Sequence, residues 1–289
     1  LQDLLKSEKY DGFNVTIPYK EKIIKYCDEI SNDCRRIGAV NTIVKNAEGK
    51  YIGYNTDYFG FRYLLEKSDI DVAGRKCVIL GSGGASKTVS VVLQDLGAKE
   101  ILVVSRTGKI NYENIKEYSD AEIIVNSTPV GMFPNNMRSL INLDDFPGCI
   151  GVVDLIYNPN RTKLILDAME RGIPAVSGLG MLVAQGFKAS ELFQGKELDS
   201  EEISIAIEEI RDVTLNRILI GMPGAGKTFL GMKMAEATGR EFVDIDDEIE
   251  ADEGMSVAQI FEEKGEAYFR KLETEKLRQM CKRRGLIIA

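Results

Sequence analysis

The chain contains no histidine, and none of its five cysteines stands in a C-x-x-C spacing. Zinc sites in proteins are built mainly from these two residue types, so the composition argues against a zinc site. A disulfide framework is also not expected, because five cysteines are scattered over 289 residues. Any proton transfer at neutral pH must therefore use a residue other than histidine.

An excess of positive charge and a long apolar run are also missing. The formal net charge is −8 and the isoelectric point is about 5.0, which argues against binding to a nucleic-acid backbone. The opening LQDLLKSEKYDG has no apolar signal core, and no segment approaches the length of a membrane span. We therefore expect a cytoplasmic protein without a nucleic-acid or membrane partner.

The two ends of the sequence suggest a fragment. The first residue is not methionine, and the final GLIIA stops inside a segment that resembles a buried strand. A strand of a parallel sheet is normally covered, so an exposed terminal one is unexpected. The sequence has no internal repeat and no low-complexity segment.

Short apolar segments alternate with amphipathic ones along most of the chain. KCVILG, EILVVS, AEIIVNST and GVVDLI indicate strands, and ASKTVSVVLQDLG indicates a helix between the first two. A second alternation starts at RILIG and continues through EFVDID to LIIA. This order predicts an α/β fold with parallel sheets covered on both faces.

Two glycine-rich loops each follow a predicted strand and precede a predicted helix. In the first, GSGGASKT, Ser86 stands where a P-loop requires glycine, so Lys87 is not a P-loop lysine. That loop fits a dinucleotide-binding turn better. The second, GMPGAGKT, has the complete P-loop pattern for a nucleoside triphosphate with Mg²⁺. The loop residues concerned are Gly81, Gly83, Gly84 and Ala85 in the first, and Gly221, Gly224, Gly226, Lys227 and Thr228 in the second.

The residues after the second strand indicate which dinucleotide is bound. NAD sites usually place a carboxylate there, whereas this chain has Ser105, Arg106 and Thr107. A guanidinium can hold the 2′-phosphate of NADP and has no anionic partner in NAD. The sequence thus favours NADP, with a solvated strand-end arginine as the alternative.

A hydride transfer to a carbonyl needs a proton donor, and without histidine a histidine–aspartate pair is impossible. Two Tyr-x3-Lys spacings are positioned as ordinary helix-face pairs, which leaves a lysine. Lys20 in NVTIPYKE follows a strand and the turn at Pro18. Its alternative is a solvated surface lysine.

Ordered motifs around this lysine resemble the shikimate dehydrogenase family over about residues 1 to 195. They are NVTIPYKE, GAVNT, GYNTD, STPVGM, DLIYNP and GLGMLVAQG, with the dinucleotide loop between them. The resemblance implies that Lys20 and Asp57 form the catalytic dyad and that shikimate or 3-dehydroshikimate is the substrate. It further implies substrate contacts from Thr16, Asn41, Tyr157 and Gln185, and nicotinamide contacts from Leu155, Gly178 and Met181. The family's opening strand and Ser-x-Ser pair precede the first residue of this chain.

Residues 215 to 289 resemble shikimate kinase. The order of the P-loop, FVDIDDEIE and GEAYFRKLE carries this resemblance. It implies that Thr228 and Asp244 hold Mg²⁺, that Asp246 binds the substrate hydroxyls, and that Arg270 pairs with the substrate carboxylate. Asp244 and Asp246 at a solvated strand end are the alternative. The family's second glycine run, its lid and its base contacts lie beyond this sequence, so weak ATP binding without phosphorylation is expected.

Together, the motifs predict a Rossmann-like NADP domain, a smaller α/β substrate domain and a partial P-loop kinase domain. Four segments are predicted. The substrate-binding domain covers 1–70 and the NADP-binding domain covers 71–177. Helices that return to the substrate domain, with the linker, cover 178–213, and the partial kinase domain covers 214–289. The implied function is NADP-dependent shikimate formation fused to an ATP-dependent kinase. The alternatives are a non-catalytic nucleotide sensor and a quinate dehydrogenase. The oligomeric state is not predicted.

Overall fold

The computed structural model describes residues 10–289, which form two compact units, the first ending at residue 204 and the second covering 205–289. Within the described part of the chain, no helix is both long and apolar enough to cross a bilayer. The division falls inside a helix that covers Ser200–Thr214. The domain boundaries suggested by the motifs within and near the first unit stay predictions.

A four-stranded sheet in the first unit has the order β1-β3-β4-β2. The strand β2 pairs in parallel with β4, whereas β1–β3 and β3–β4 are antiparallel. Helix α1 covers Asn32–Ile37; the Ser31 hydroxyl accepts a hydrogen bond from the Cys34 amide at its start, and Gly38 ends it at a φ of 74°. The strands are β1 (Gly12–Asn14), β2 (Glu29–Ile30), β3 (Thr42–Lys45) and β4 (Tyr51–Tyr54).

A five-stranded parallel sheet forms the larger part of this unit, in the order β6-β5-β7-β8-β9. Side chains alternate across β5: Cys77 and Ile79 enter one apolar core, and Val78 and Leu80 enter another on the opposite face. This burial on both faces explains why the strand is an uninterrupted apolar run. The strands are β5 (Lys76–Leu80), β6 (Glu100–Val104), β7 (Ile123–Asn126), β8 (Gly151–Asp154) and β9 (Ala175–Ser177).

Helices cover both faces of that sheet. One core contains Phe61, Val92 and Met181 from three helices, and the other contains Leu164 from a fourth. The helices are α2 (Thr56–Glu66), α3 (Gly84–Asp95), α4 (Lys163–Glu170), α5 (Leu179–Gln194) and α6 (Ser200–Thr214). Short 3-10 helices lie at Ile24–Tyr26, Ile115–Tyr118 and Leu143–Asp145.

The second unit contains a three-stranded parallel sheet in the order β10-β12-β11. Its core lies between this sheet and the helices, with Ile249, Ile260 and Phe269 almost fully buried. The strands are β10 (Arg217–Ile218), β11 (Phe242–Val243) and β12 (Ile287–Ile288). The helices are α7 (Lys227–Thr238), α8 (Ile245–Glu253), α9 (Val257–Lys264) and α10 (Glu266–Met280).

The predicted α/β fold class is confirmed, including the parallel, Rossmann-like sheet. The sheet order is what positions a site. The chain leaves β5 on one side to form β6 and returns on the other side to form β7. Loops at the carboxyl ends of β5 and β7 therefore diverge there, and ligands of open parallel sheets bind in such crevices.

Candidate active site and phosphate-binding loops

Lys20 and Asp57 form a direct ion pair, with 2.7 Å between Lys20 Nζ and Asp57 Oδ2. Their side chains are only 25% and 11% exposed. Asp57 lies in the first turn of α2, where the helix dipole favours a negative charge. Lys20 is fixed by its backbone, because its carbonyl accepts a hydrogen bond from the Val40 amide at 2.8 Å. The predicted dyad is thus assembled from two segments held at fixed places.

Asn41 connects the lysine segment to the start of α2. Its side-chain oxygen accepts hydrogen bonds from the Thr56 amide at 2.8 Å and the Thr42 hydroxyl at 3.1 Å. Its backbone carbonyl accepts from the Val15 amide at 2.7 Å, next to the exposed Thr16. Asn41 is therefore a buried link between β1 and the start of α2, while Thr16 is open to solvent.

Helix α5 brings Gln185 to the same place. A Cβ atom at Gly60 would lie 2.5 Å from the Met181 carbonyl oxygen and 3.1 Å from Gln185 Cβ. Glycine at this position therefore permits the close approach of α2 and α5. Gly60 lies about one helical turn after Asp57 in α2, so Gln185 packs against α2 one turn from Asp57. The predicted substrate residues Asn41, Asp57 and Gln185 are brought together around the start of α2.

The predicted nicotinamide positions meet where α5 begins. The Gly178 amide donates to the Ile156 carbonyl at 3.1 Å, and a Cβ at Gly178 would lie 2.0 Å from the Leu155 carbonyl oxygen. Met181 follows one turn later and is buried in the core. Tyr157 lies in the same loop after β8 and is half exposed. One helix therefore links these positions to the Lys20–Asp57 pair.

A buried carboxylate anchors the loop that carries Leu155 and Tyr157. Asp154 at the end of β8 accepts hydrogen bonds from Asn126 Nδ2 and the Ile156 amide, both at 3.0 Å. The Thr162 hydroxyl donates to its other oxygen at 2.6 Å. Burial raises the pKa of Asp154 to about 6, although these donors oppose the shift. The loops after β7 and β8 are thereby fastened to each other.

We expect Asp154→Asn to change how stability depends on pH. The pKa of Asp154 is higher in the folded than in the unfolded chain. Between pH 4 and 6 the folded chain therefore keeps a proton on Asp154 that the unfolded chain has lost. Relative to the variant, the wild type should lose roughly 2–3 kcal/mol of stability across that window as pH rises. Urea unfolding of both proteins from pH 4 to 8 measures the difference. Parallel curves would contradict the raised pKa.

The first glycine loop leaves open space at the start of α3. Gly81 has a φ of +105°, and a Cβ there would lie 2.6 Å from Thr128 Cγ2, so only glycine fits. A Cβ at Gly83 or Gly84 would meet no atom within 4 Å. Ala85 follows in the first turn of α3, which begins at Gly84 without a side-chain cap. These features fit a dinucleotide pyrophosphate at the helix start.

Ser86, which separates this loop from a P-loop, has a structural role. It is buried, and its hydroxyl donates to the Gly83 carbonyl at 2.6 Å. The bond links the start of α3 to the Gly83 carbonyl within the loop. Sequence reasoning identified the mismatch at Ser86 but not this contact.

Arg106 lies beside the first loop. The Gly81 amide donates to the Val104 carbonyl at 2.8 Å, which ties the loop to the end of β6. Ser105, Arg106 and Thr107 follow that strand, and Arg106 is exposed. Among residues 10–289, no carboxylate lies within ion-pair distance of its guanidinium. An unpaired arginine at this edge suits a 2′-phosphate, as the sequence suggests.

The second glycine loop has a P-loop conformation in the second unit. Gly224 and Gly226 have φ values of 75° and 81°, and Gly226 precedes the first residue of α7. Lys227 Nζ donates to the carbonyls of Gly221 at 3.1 Å and Met222 at 3.2 Å. The lysine thus folds back over the loop, where it can reach a bound phosphate.

The magnesium and substrate positions surround this loop. Thr228 Oγ1 donates to Asp244 Oδ2 at 2.8 Å, which fits two oxygen ligands of one Mg²⁺ ion. Asp244 caps α8, so Asp246 lies in the first turn of that helix rather than at the strand end. Burial raises the pKa of Asp246, the charges of Asp244 and of Glu273 raise it further, and Lys227 opposes them.

Arg270 is held by two carboxylates on its own helix. Its guanidinium contacts Glu273 Oε2 at 3.0 Å and Glu266 Oε1 at 3.4 Å. The negative charge of Glu273 also contributes to the raised pKa of Asp246. Over residues 10–289, no group of three or more Cys, Asp or Glu side chains could hold a metal ion by itself.

Comparisons with known proteins agree with both predicted resemblances. The shikimate dehydrogenase substrate binding domain family matches residues 1–43, and the shikimate kinase family matches residues 223–289. Shikimate dehydrogenase (NADP(+)) of Clostridium perfringens is 37% identical over 213 residues, covering 69% of this chain and 78% of that protein.

Solved structures show the same relationship. A chorismate mutase/shikimate 5-dehydrogenase fusion protein from Clostridium acetobutylicum superposes with a TM-score of 0.68 at 37% identity, covering 73% of this chain and 80% of that one. Quinate dehydrogenase from Corynebacterium glutamicum in complex with NAD gives 0.66 at 27% identity, covering 73% and 82%. The chain belongs to the shikimate dehydrogenase family and carries a shikimate kinase segment over residues 223–289.

Proposed function

We propose that the first unit catalyses the NADP-linked interconversion of 3-dehydroshikimate and shikimate. The Lys20–Asp57 ion pair at 2.7 Å carries this proposal, because it supplies the proton donor that a carbonyl reduction requires. The open phosphate loop at Gly81–Ala85 and the unpaired Arg106 support NADP as the dinucleotide. NADPH supplies the hydride that the protein itself does not contain.

Lys20 Nζ donates a proton to the carbonyl oxygen during reduction, and it accepts that proton in the reverse direction. Asp57 accepts a hydrogen bond from the ammonium and so holds it in one direction. The proposed contacts to the substrate come from Thr16, Asn41, Tyr157 and Gln185. The proposed nicotinamide position lies beside Leu155, Gly178 and Met181. The alcohol product and the carbonyl substrate differ by one hydride and one proton, so no further reactant is needed.

The test is reduction of NADP at 340 nm with shikimate or quinate as the alcohol, repeated with NAD. We expect turnover with shikimate and NADP, and much slower turnover when either reactant is exchanged. Faster oxidation of quinate with NAD would favour the quinate dehydrogenase alternative. Absence of turnover with every combination would overturn the proposal in favour of a nucleotide sensor.

For the second unit, we propose that Gly221–Thr228 binds the phosphates of ATP, with Mg²⁺ at Thr228 and Asp244. The Thr228–Asp244 hydrogen bond carries this part of the proposal. Asp246 is the proposed partner of the shikimate hydroxyls, and Arg270 that of its carboxylate. Shikimate would then be the product of the first unit and the phosphoryl acceptor of the second. Both units would act on small molecules.

Lys227→Ala should weaken Mg²⁺–ATP binding about tenfold, because it removes one charged hydrogen bond to a phosphate. Titration with a fluorescent ATP analogue measures the affinity. Lys233→Ala, an exposed lysine two turns along the same helix, is the matched control and should bind as wild type does. Equal affinities for wild type and Lys227→Ala would contradict the P-loop role.

Phosphoryl transfer is a separate question from binding. The expectation from the sequence, weak ATP binding and no phosphorylation by residues 215–289, stays a prediction. A coupled assay of ADP formation with and without shikimate decides it. Shikimate-dependent ADP release that Lys227→Ala abolishes would overturn that expectation.

A further inference from the structure

An ion pair joins the first glycine loop's helix to the residue after Lys20. Lys87 Nζ lies 2.7 Å from Glu21 Oε1. Lys87 is the fourth residue of α3, over the five-stranded sheet, and Glu21 belongs to the segment that follows β1 of the four-stranded sheet. The pair therefore crosses from the phosphate loop to the proton donor.

The charges at the start of α3 favour this ion pair. A cation in the first turns of a helix opposes the helix dipole, so Lys87 needs an anionic partner there. Glu21 is such a partner, and Lys87 holds the pKa of Glu21 below its usual value. Lys87 has no role in phosphate binding by a P-loop, because Ser86 replaces the glycine that a P-loop requires before its lysine. Lys87 lies one helical turn after Gly83 and Gly84, where the pyrophosphate is proposed to bind.

The other end of α3 is attached to helices α1 and α2. Asp95 accepts two hydrogen bonds from Arg36 at 2.7 and 2.6 Å and one from the Tyr58 hydroxyl at 2.8 Å. That end is held by three bonds, whereas the loop end has one ion pair between side chains that are 46% and 59% exposed. A single exposed pair contributes little to folding stability. It can nevertheless fix the position of a neighbouring residue.

Lys20 is the residue that such a contact would position. Its backbone is tied on one side to Val40, and on the other side Glu21 reaches Lys87. We propose that Glu21 and Lys87 form a positioning pair, which couples dinucleotide binding at Gly81–Ala85 to the placement of Lys20 for proton transfer. This inference rests on the proposed dehydrogenase function. Neither residue touches the reacting atoms.

A double-mutant cycle on the whole chain tests the coupling. Glu21→Gln and Lys87→Met should each lower kcat/KM for NADP-linked shikimate oxidation about three- to tenfold, through kcat and the KM for NADP. The KM for shikimate should change little. The double variant should be no worse than the poorer single variant, and Lys87→Arg should restore most of the activity.

The Arg36–Asp95 pair at the far end of α3 provides the matched control. Arg36→Gln should lower the thermal unfolding midpoint and leave kcat/KM near the wild-type value. The Glu21 and Lys87 variants should show the reverse pattern. Independent, multiplicative effects of Glu21→Gln and Lys87→Met would overturn the pair, as would an equal activity loss in Arg36→Gln. A wild-type protein without NADP-linked turnover would overturn the proposed function as well, whereas turnover without coupling would overturn the pair alone.

Discussion

Lys20→Ala is expected to lower kcat about 10²- to 10⁴-fold, which is the contribution that a positioned general acid makes. The structure gives the reason: the ammonium is held 2.7 Å from Asp57, and the chain has no histidine that could replace it. The KM for shikimate should rise much less, because proton transfer is needed in the transition state and not for binding. Steady-state oxidation of shikimate with saturating NADP separates the two constants.

Lys22→Ala is the matched control for this prediction. Lys22 is exposed, lies two residues further along the same segment, and should leave both constants unchanged. Asp57→Asn should lower kcat as well, because the amide no longer holds the ammonium as strongly. If Lys20→Ala raised KM and left kcat intact, Lys20 would be a substrate-binding residue and the proton donor would have to be sought elsewhere.

The large sheet could be predicted from the sequence because the burial of each strand is visible in its own few residues. Strands such as KCVIL are buried on both faces, so they are written as uninterrupted apolar runs. The smaller sheet was harder to predict. The strand β2 has only two residues, Glu29 and Ile30, and α1 has six, which is too short for a periodic pattern to show.

The sequence indicated which residues belong to the candidate site, but it did not indicate how they are arranged in space. Motif resemblance selected Lys20 and Asp57, yet their contact spans 37 positions of sequence and depends on Val40 and Asn41 holding the two segments. The supporting network could not be predicted. Asn126 and Asp154 look like ordinary strand-end residues, and their hydrogen bond crosses 28 positions. No local pattern records such long-range pairing.

The contacts of Ser86 and Lys87 could not be predicted from the sequence for the same reason. Their spacing showed that the first loop is not a P-loop, which is a local property of the sequence. The partners of these side chains, the Gly83 carbonyl and Glu21, depend on how the loop folds and on which segment lies opposite it. A mismatch to a motif therefore indicated where a different contact exists, without indicating the contact itself.

Arg106→Ala is expected to reduce the preference for NADP over NAD roughly 10- to 100-fold, the value of the charged hydrogen bonds that a guanidinium makes to a phosphate. Arg106 follows β6, whose end is tied to Gly81 by the 2.8 Å bond between Gly81 N and Val104 O. The guanidinium is therefore at the edge of the phosphate loop. Burial raises the pKa of Tyr112, and the positive charge of Arg106 opposes that shift.

The ratio of kcat/KM for NADP to that for NAD, measured with shikimate, tests this role. The loss should come almost entirely from a higher KM for NADP, since NAD has no 2′-phosphate for Arg106 to hold. Arg106→Lys should retain part of the preference, because an ammonium keeps the charge but not the bidentate geometry. Lys109→Ala, an exposed cation in the same loop, should change the ratio little. An unchanged ratio in Arg106→Ala would show that other groups hold the 2′-phosphate, and the hydroxyls of Ser105 and Thr107 would be tested next.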